Sequence, residues 1–161
     1  MSDPHEFSAA DRECMIRAIA AAAQVRCVTT PNPWVGCVIR TEDGQLHEGV
    51  THEPGGPHAE IDALDSAGEA ARGATAYVTL EPCVHTGRTG PCTDALIEAG
   101  VARVVVGLED PDDRVRGRGI AALRDAGVTE DEGLYEDRVR NQLAAYIKHR
   151  TTGRPYVVLK L

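Results

Sequence analysis

The chain has 161 residues, 42% of them apolar and 26% charged, with a formal net charge of −8. That length suits one domain with a single core, and no apolar run approaches the ~18–20 residues of a membrane helix. The acidic balance argues against a polynucleotide partner, whose phosphates are met by basic surfaces.

The N-terminal "MSDPHEFSAADRE" has no basic region and no apolar region. It is not a secretory leader, and the expected compartment is the cytoplasm. A first helix is predicted from Ser8 to Val25, with Ser8 as N-cap, Asp11 three residues on, and an apolar face of Cys14, Met15, Ala18, Ile19 and Ala22. Pro31 and Pro33 break it. Trp34–Arg40 and Leu46–Thr51 read as a hairpin around the acidic turn "TEDG". Pro57 and "HAEIDALDSAGEAA" start a second helix, and Ala74–Leu80 is a strand. "PCTDALIEAG" is a third helix, "VARVVVGL" a buried strand, Gly119–Ala126 a fourth helix, and a short strand follows around Val128. Asp137–His149 reads as one last helix, and "PYVVLKL" as a terminal strand. This alternation predicts an α/β fold, a mixed, largely parallel sheet covered by helices on both faces. Sites in such folds lie at strand ends and helix N-termini.

Five cysteines, an odd number, make a poor disulfide framework in a reducing compartment. Cys14 and Cys37 fall in helix and strand patterns and read as buried packing residues. Cys83 and Cys92 instead flank the loop "PCVHTGRTGPC", which joins a strand to a helix. "PHAE" (57–60) opens another helix on what should be the same edge of the sheet. His58, Cys83 and Cys92 together offer one nitrogen and two sulfurs. Three protein ligands and an open position is the pattern of a catalytic zinc, whereas a closed structural zinc needs a fourth ligand. Helix N-termini favour the thiolate that binds metal. Glu60 suits a proton shuttle, since zinc lowers the pKa of water to roughly 7 and a nearby carboxylate can take the proton and return it to a leaving amine. The same residues have plainer readings: a Cys83–Cys92 disulfide, a structural zinc with His85 as fourth ligand, or His58 as an ordinary helix-start histidine.

His-x-Glu with Pro-Cys and a later Cys resembles the zinc-dependent base and nucleotide deaminases. The eight-residue spacing of the cysteines, with "TPNPWVGCVI", "GPHAEIDAL", "GATAYVTLEPCVHTGRTGPC", "ALIEAGVARVVVGLEDP" and "GRGIAALRDAGV", resembles one branch: the deaminase domain of the bifunctional riboflavin-biosynthesis deaminase/reductases. The resemblance implies a cytidine-deaminase-like, three-layer α/β/α fold, a homodimer or a reductase partner, and one zinc ion. It implies hydrolytic loss of the 2-amino group of 2,5-diamino-6-ribosylamino-4(3H)-pyrimidinone 5′-phosphate as ammonia. By position, it makes His58, Cys83 and Cys92 the zinc ligands and Glu60 the proton shuttle. Asn32, His52, His85, Arg88 and Asp112 become candidate substrate contacts. Residues 1–150 would be the deaminase domain, and 151–161 would resemble the linker and first strand of a reductase absent here, so no NADPH site is expected in this chain. Val84 stands where the family often has Ser or Asn, and Asp112 where it often has Asn; an acceptor-only carboxylate there would repel a substrate phosphate. Thr51 replaces an aromatic residue. These departures keep three alternatives open: a deaminase of a related small base, nucleoside or nucleotide, a tRNA-editing deaminase, and a non-catalytic zinc module. The acidic total and the long cysteine loop weigh against the second, and Glu60 weighs against the third.

Overall fold

A computed structural model describes residues 6–85, 90–113 and 115–160. Its frame is a five-stranded sheet in the order β2-β1-β3-β4-β5. The strands are β1 (Gly36–Arg40), β2 (Leu46–Val50), β3 (Thr75–Leu80), β4 (Arg103–Leu108) and β5 (Thr129–Glu132). The helices are α1 (Ala9–Gln24), α2 (Ala59–Ala67), α3 (Cys92–Glu98), α4 (Arg118–Asp125), α5 (Glu136–Gln142) and α6 (Ala144–Thr152). The sheet is mixed, as expected. β1 runs antiparallel to β2 and β3, and parallel pairing is confined to β3, β4 and β5.

Period-two alternation decides which residues meet which helices. Cys37, Ile39, Ala76, Val78, Val104 and Val106 share one core with Ala59 and Ala63 of α2, Leu96 of α3 and Leu123 of α4. Val38, Tyr77 and Val105 point the other way and pack on Cys14, Met15 and Ala18 of α1. Both helical layers approach the sheet through glycine. A Cβ on Gly36 would lie 2.0 Å from the Ala18 carbonyl oxygen, and one on Gly49 would lie 2.3 Å from that of Ala59.

The start of α1 has the expected reciprocal cap: Asp11 N–H donates to Ser8 Oγ at 3.1 Å, and Ser8 N–H to Asp11 Oδ2 at 2.8 Å. Asp11 also accepts from Tyr77 Oη at 2.8 Å and Arg103 Nη1 at 2.7 Å, which ties the helix to two strands. Burial alone would raise its carboxyl, yet these hydrogen bonds, with Arg103 foremost, bring its pKa down to about 2. Beyond Asp11, Arg103 reaches Asp131 at 2.7 Å on β5, an edge strand with acidic residues at three of its four positions. Glu130 beside it pairs with Arg124 at 2.6 Å.

Three local expectations change. The second helix ends at Ala67 and a 3₁₀ turn follows over Gly68–Ala71. The single last helix is two, α5 and α6, because the buried Leu143 leaves helical geometry (φ −93°, ψ 13°) where the chain turns into the core. The terminal "PYVVLKL" joins no sheet among the described residues, and Val157, Val158 and Leu159 are 70%, 71% and 85% exposed. No helix among the described residues is long and apolar enough to cross a membrane.

Candidate metal centre and active site

The two motifs meet as their spacing predicts. His58 is the N-cap of α2 with extended backbone (φ −77°, ψ 164°), and its imidazole caps nothing, which leaves it free to turn toward the end of β3. Cys83 follows β3 by three residues, and Cys92 is the first residue of α3. The loop between them is fastened at its base: Thr93 N–H and Thr93 Oγ1 both donate to the Cys83 carbonyl at 3.2 Å. As a result His58 Nδ1 lies 3.2 Å from Cys92 Sγ and 3.6 Å from Cys83 Sγ, and Cys92 N–H points at Cys83 Sγ from 3.4 Å. The three ligand atoms all lie within 4.8 Å of one another.

The electrostatics suit a dication. The Cys92 thiol, the His58 ring and the Cys92 N–H bring Cys83 down to about 4 against the effect of burial. The same contact with Cys83, together with burial, pushes Cys92 up. Their contact thus favours the thiolate at Cys83 and disfavours it at Cys92, and a cation between the two sulfurs would favour both as thiolates. His58 is raised by its contact with Cys83. A nitrogen and two sulfurs at this spacing fit one zinc with an open fourth position. All five cysteines are free, and His85 is not part of the cluster.

Glu60, in the first turn of α2, is 4% exposed. Burial, and then the charge of Cys83, raise its carboxyl to about 7. It lines a cavity of about 270 Å³ with His58 and Cys83, a volume near the low end for small-molecule sites. Asn32 and His85 line it too. His52 does not: its imidazole turns outward to Asp62 at 3.2 Å, and the preceding Thr51 faces the cavity instead. Asp112 is also off the lining, because its carboxylate is paired with Arg150. Arg88 lies outside the described residues.

Several cavity residues escape the sequence reading. Asp110 stands in the wall, raised by burial, and its Oδ1 accepts the Asp112 N–H at 2.8 Å. Tyr146, His149 and Arg150 come from α6. Glu81 is 4% exposed and accepts four backbone N–H groups: Asp110 and Gly117 on Oε2, both at 3.0 Å, and Gly119 (2.7 Å) and Ile120 (3.4 Å) on Oε1. It thereby fastens the segment after β4 and the start of α4 to the strand end that carries Cys83. The placement of "LEPC" at a strand end was the available signal for Glu81. Nothing local marked the α6 residues.

Residues 8–108 match the family described as cytidine and deoxycytidylate deaminase zinc-binding region. The chain is 51% identical over 152 residues to the riboflavin biosynthesis protein RibD of Escherichia coli (strain K12), an alignment covering 94% of this chain and 41% of that protein. Among solved structures, Acinetobacter baumannii RibD superposes with a TM-score of 0.87 at 47% identity, over 91% of this chain and 41% of that one. The diaminohydroxyphosphoribosylaminopyrimidine deaminase/5-amino-6-(5-phosphoribosylamino)uracil reductase of Thermotoga maritima gives 0.84 at 39% identity, over 91% and 43%. The chain thus spans about two fifths of the length of these relatives.

Proposed function

Because the chain belongs to the cytidine and deoxycytidylate deaminase family, we propose that it is a hydrolytic deaminase that converts the 2-amino group of the 5′-phosphorylated diaminopyrimidinone of riboflavin biosynthesis to a carbonyl and releases ammonia. One observation carries the reading: a buried Glu60 with its carboxyl at about 7 lines the same small cavity as His58 and Cys83 of the His58–Cys83–Cys92 cluster. A closed structural site has no use for that carboxylate, and a non-catalytic module no use for the cavity. The likeness to the E. coli and A. baumannii proteins supports the choice of pathway.

His58, Cys83 and Cys92 would hold the zinc, which when bound supplies the Lewis acidity that makes water nucleophilic near neutral pH. Glu60 holds and moves the proton. With its carboxyl at about 7 it is able both to accept a proton from the attacking water and to deliver it to the departing amine. Asn32 and Asp110 line the cavity and would read the ring's N–H and carbonyl groups, and Val35 and Leu80 add apolar surface that would exclude bulk water. Residues 151–161 read as the lead into a reductase domain. The exposed apolar run over Tyr156–Leu159, which joins no sheet among the described residues, is in keeping with this.

The test is ammonia release from the phosphorylated substrate by zinc-loaded protein, with Glu60→Gln beside it. Activity should fall by about 10²–10⁴-fold in the variant while zinc content stays unchanged. Equal turnover in the two proteins would remove Glu60 from the chemistry.

A further inference from the structure

α6 forms one wall of the cavity, yet no residue of α6 is fully buried. Partly buried Ala145, Tyr146 and Ile147 pack its first half. Its second half is held by a polar contact: Arg150 Nη2 donates to Asp112 Oδ2 in the segment after β4. The guanidinium also lies 5.9 Å from the ring centroid of Tyr146.

The pair is asymmetric. The Asp112 side chain is 9% exposed and absent from the cavity lining, whereas Arg150 is 35% exposed and part of it. The carboxylate stands behind and the guanidinium in front. Arginine has five N–H donors in a planar fork, so one nitrogen committed to Asp112 leaves others available to the cavity. A half-exposed ion pair contributes little to stability, which leaves its orienting effect as the consequence that matters.

The remaining charge in the cavity makes that position informative. Glu60, Glu81 and Asp110 line it, and Arg150 is the one arginine or lysine among the described lining residues. An anionic group would be repelled from the carboxylates and the cysteine sulfurs and accepted beside Arg150. A phosphate monoester offers the oxygens that a guanidinium fork binds best.

We propose that Arg150 recognises the phosphate of the substrate and that Asp112 is its positioning residue. This rests on the functional reading above, which supplies the 5′-phosphate. It also reverses the expectation that Asp112 would repel that phosphate, because the carboxylate is spent on holding the cation that attracts it.

The experiment compares kcat/KM for the phosphorylated substrate with that for its dephosphorylated counterpart, in wild-type protein, Arg150→Met and Arg150→Lys, all zinc-loaded and checked for matching unfolding temperature. In Arg150→Met the ratio should drop on the order of 10- to 100-fold, through KM rather than kcat, as expected for loss of one charge-assisted contact. Arg150→Lys, which keeps the charge without the fork, should recover part of it. An unchanged ratio in Arg150→Met, whether both substrates suffer equally or neither does, would make the pair a strut for α6 and overturn the proposal. If wild-type protein releases ammonia from neither compound, the substrate assignment fails on its own. Equilibrium binding of inorganic phosphate to wild type and Arg150→Met then decides the matter: weaker binding in the variant upholds Arg150 as an anion site, and equal binding rejects it.

Discussion

Replacing Glu81 by glutamine keeps the shape of the side chain and should still be one of the most damaging single changes available to this protein. Each carboxylate oxygen faces two backbone N–H groups, those of Asp110 and Gly117 on one side and those of Gly119 and Ile120 on the other. A glutamine has one oxygen. Whichever way its amide turns, an NH₂ group meets a pair of N–H donors, and two buried donors lose their acceptor. At about 1–3 kcal/mol for each orphaned group, Glu81→Gln should cost about 4 kcal/mol. For a chain of this size that corresponds to a fall of roughly 8–16 °C in Tm. Glu81→Ala, which abandons all four donors, should cost at least as much. The assay is thermal unfolding of zinc-loaded protein at neutral pH, followed by circular dichroism, with zinc content measured before heating. A fall in Tm below ~3 °C for the glutamine variant would show that the four contacts are not the fastening they resemble, and the account of how the cavity wall is held would be wrong.

Two further expectations concern other parts of the molecule. The depressed Asp11 carboxyl, at about 2, contributes stability that is fully present above the unfolded value near 3.8 and is lost as pH falls through the folded value. The contribution is about 2 kcal/mol, and urea titrations between pH 5 and 2 should show wild type losing that much more than Asp11→Asn; parallel curves would refute it. Cys92→Ser should reduce bound zinc from one equivalent to near none by elemental analysis while α-helical circular dichroism is retained, because Cys92 supplies one of three converging donors; full zinc retention would remove it from the ligand set.

The metal cluster was legible because its signal is chemical. Cysteine and histidine at the starts of two helices and the end of a strand have few other reasons to converge. The cavity walls were legible only in part: His85 lies inside the cysteine loop, and Asn32 came from the resemblance carried by "PNP". The residues after β2 show the geometry involved. β2 ends at Val50, and Thr51 N–H still bonds to the Val35 carbonyl at 3.1 Å, so the strand's alternation persists past its end. Adjacent residues then face opposite sides, which puts Thr51 on the cavity and turns His52 out toward Asp62. Arg150 was invisible for another reason. Its partner lies 38 residues away, and only the turn at Leu143 aims α6 at the cavity. That turn has neither proline nor glycine to announce it. The helix pattern runs through it in the sequence, and tertiary packing of Leu143 overrides the pattern.

The acidic edge strand β5 bears on how this protein behaves in a crowded solution. A strand at the end of a sheet carries a row of unspent N–H and C=O groups and invites any passing extended chain to continue the ladder. Here the invitation is guarded. A chain lying along Thr129–Glu132 would have to strip water from Glu130, Asp131 and Glu132 and compete with the arginines that hold the first two. Part of the net charge of −8 is therefore placed where it keeps one copy of the sheet from growing onto another, and that edge should stay free of self-association at concentrations where an uncharged one would aggregate.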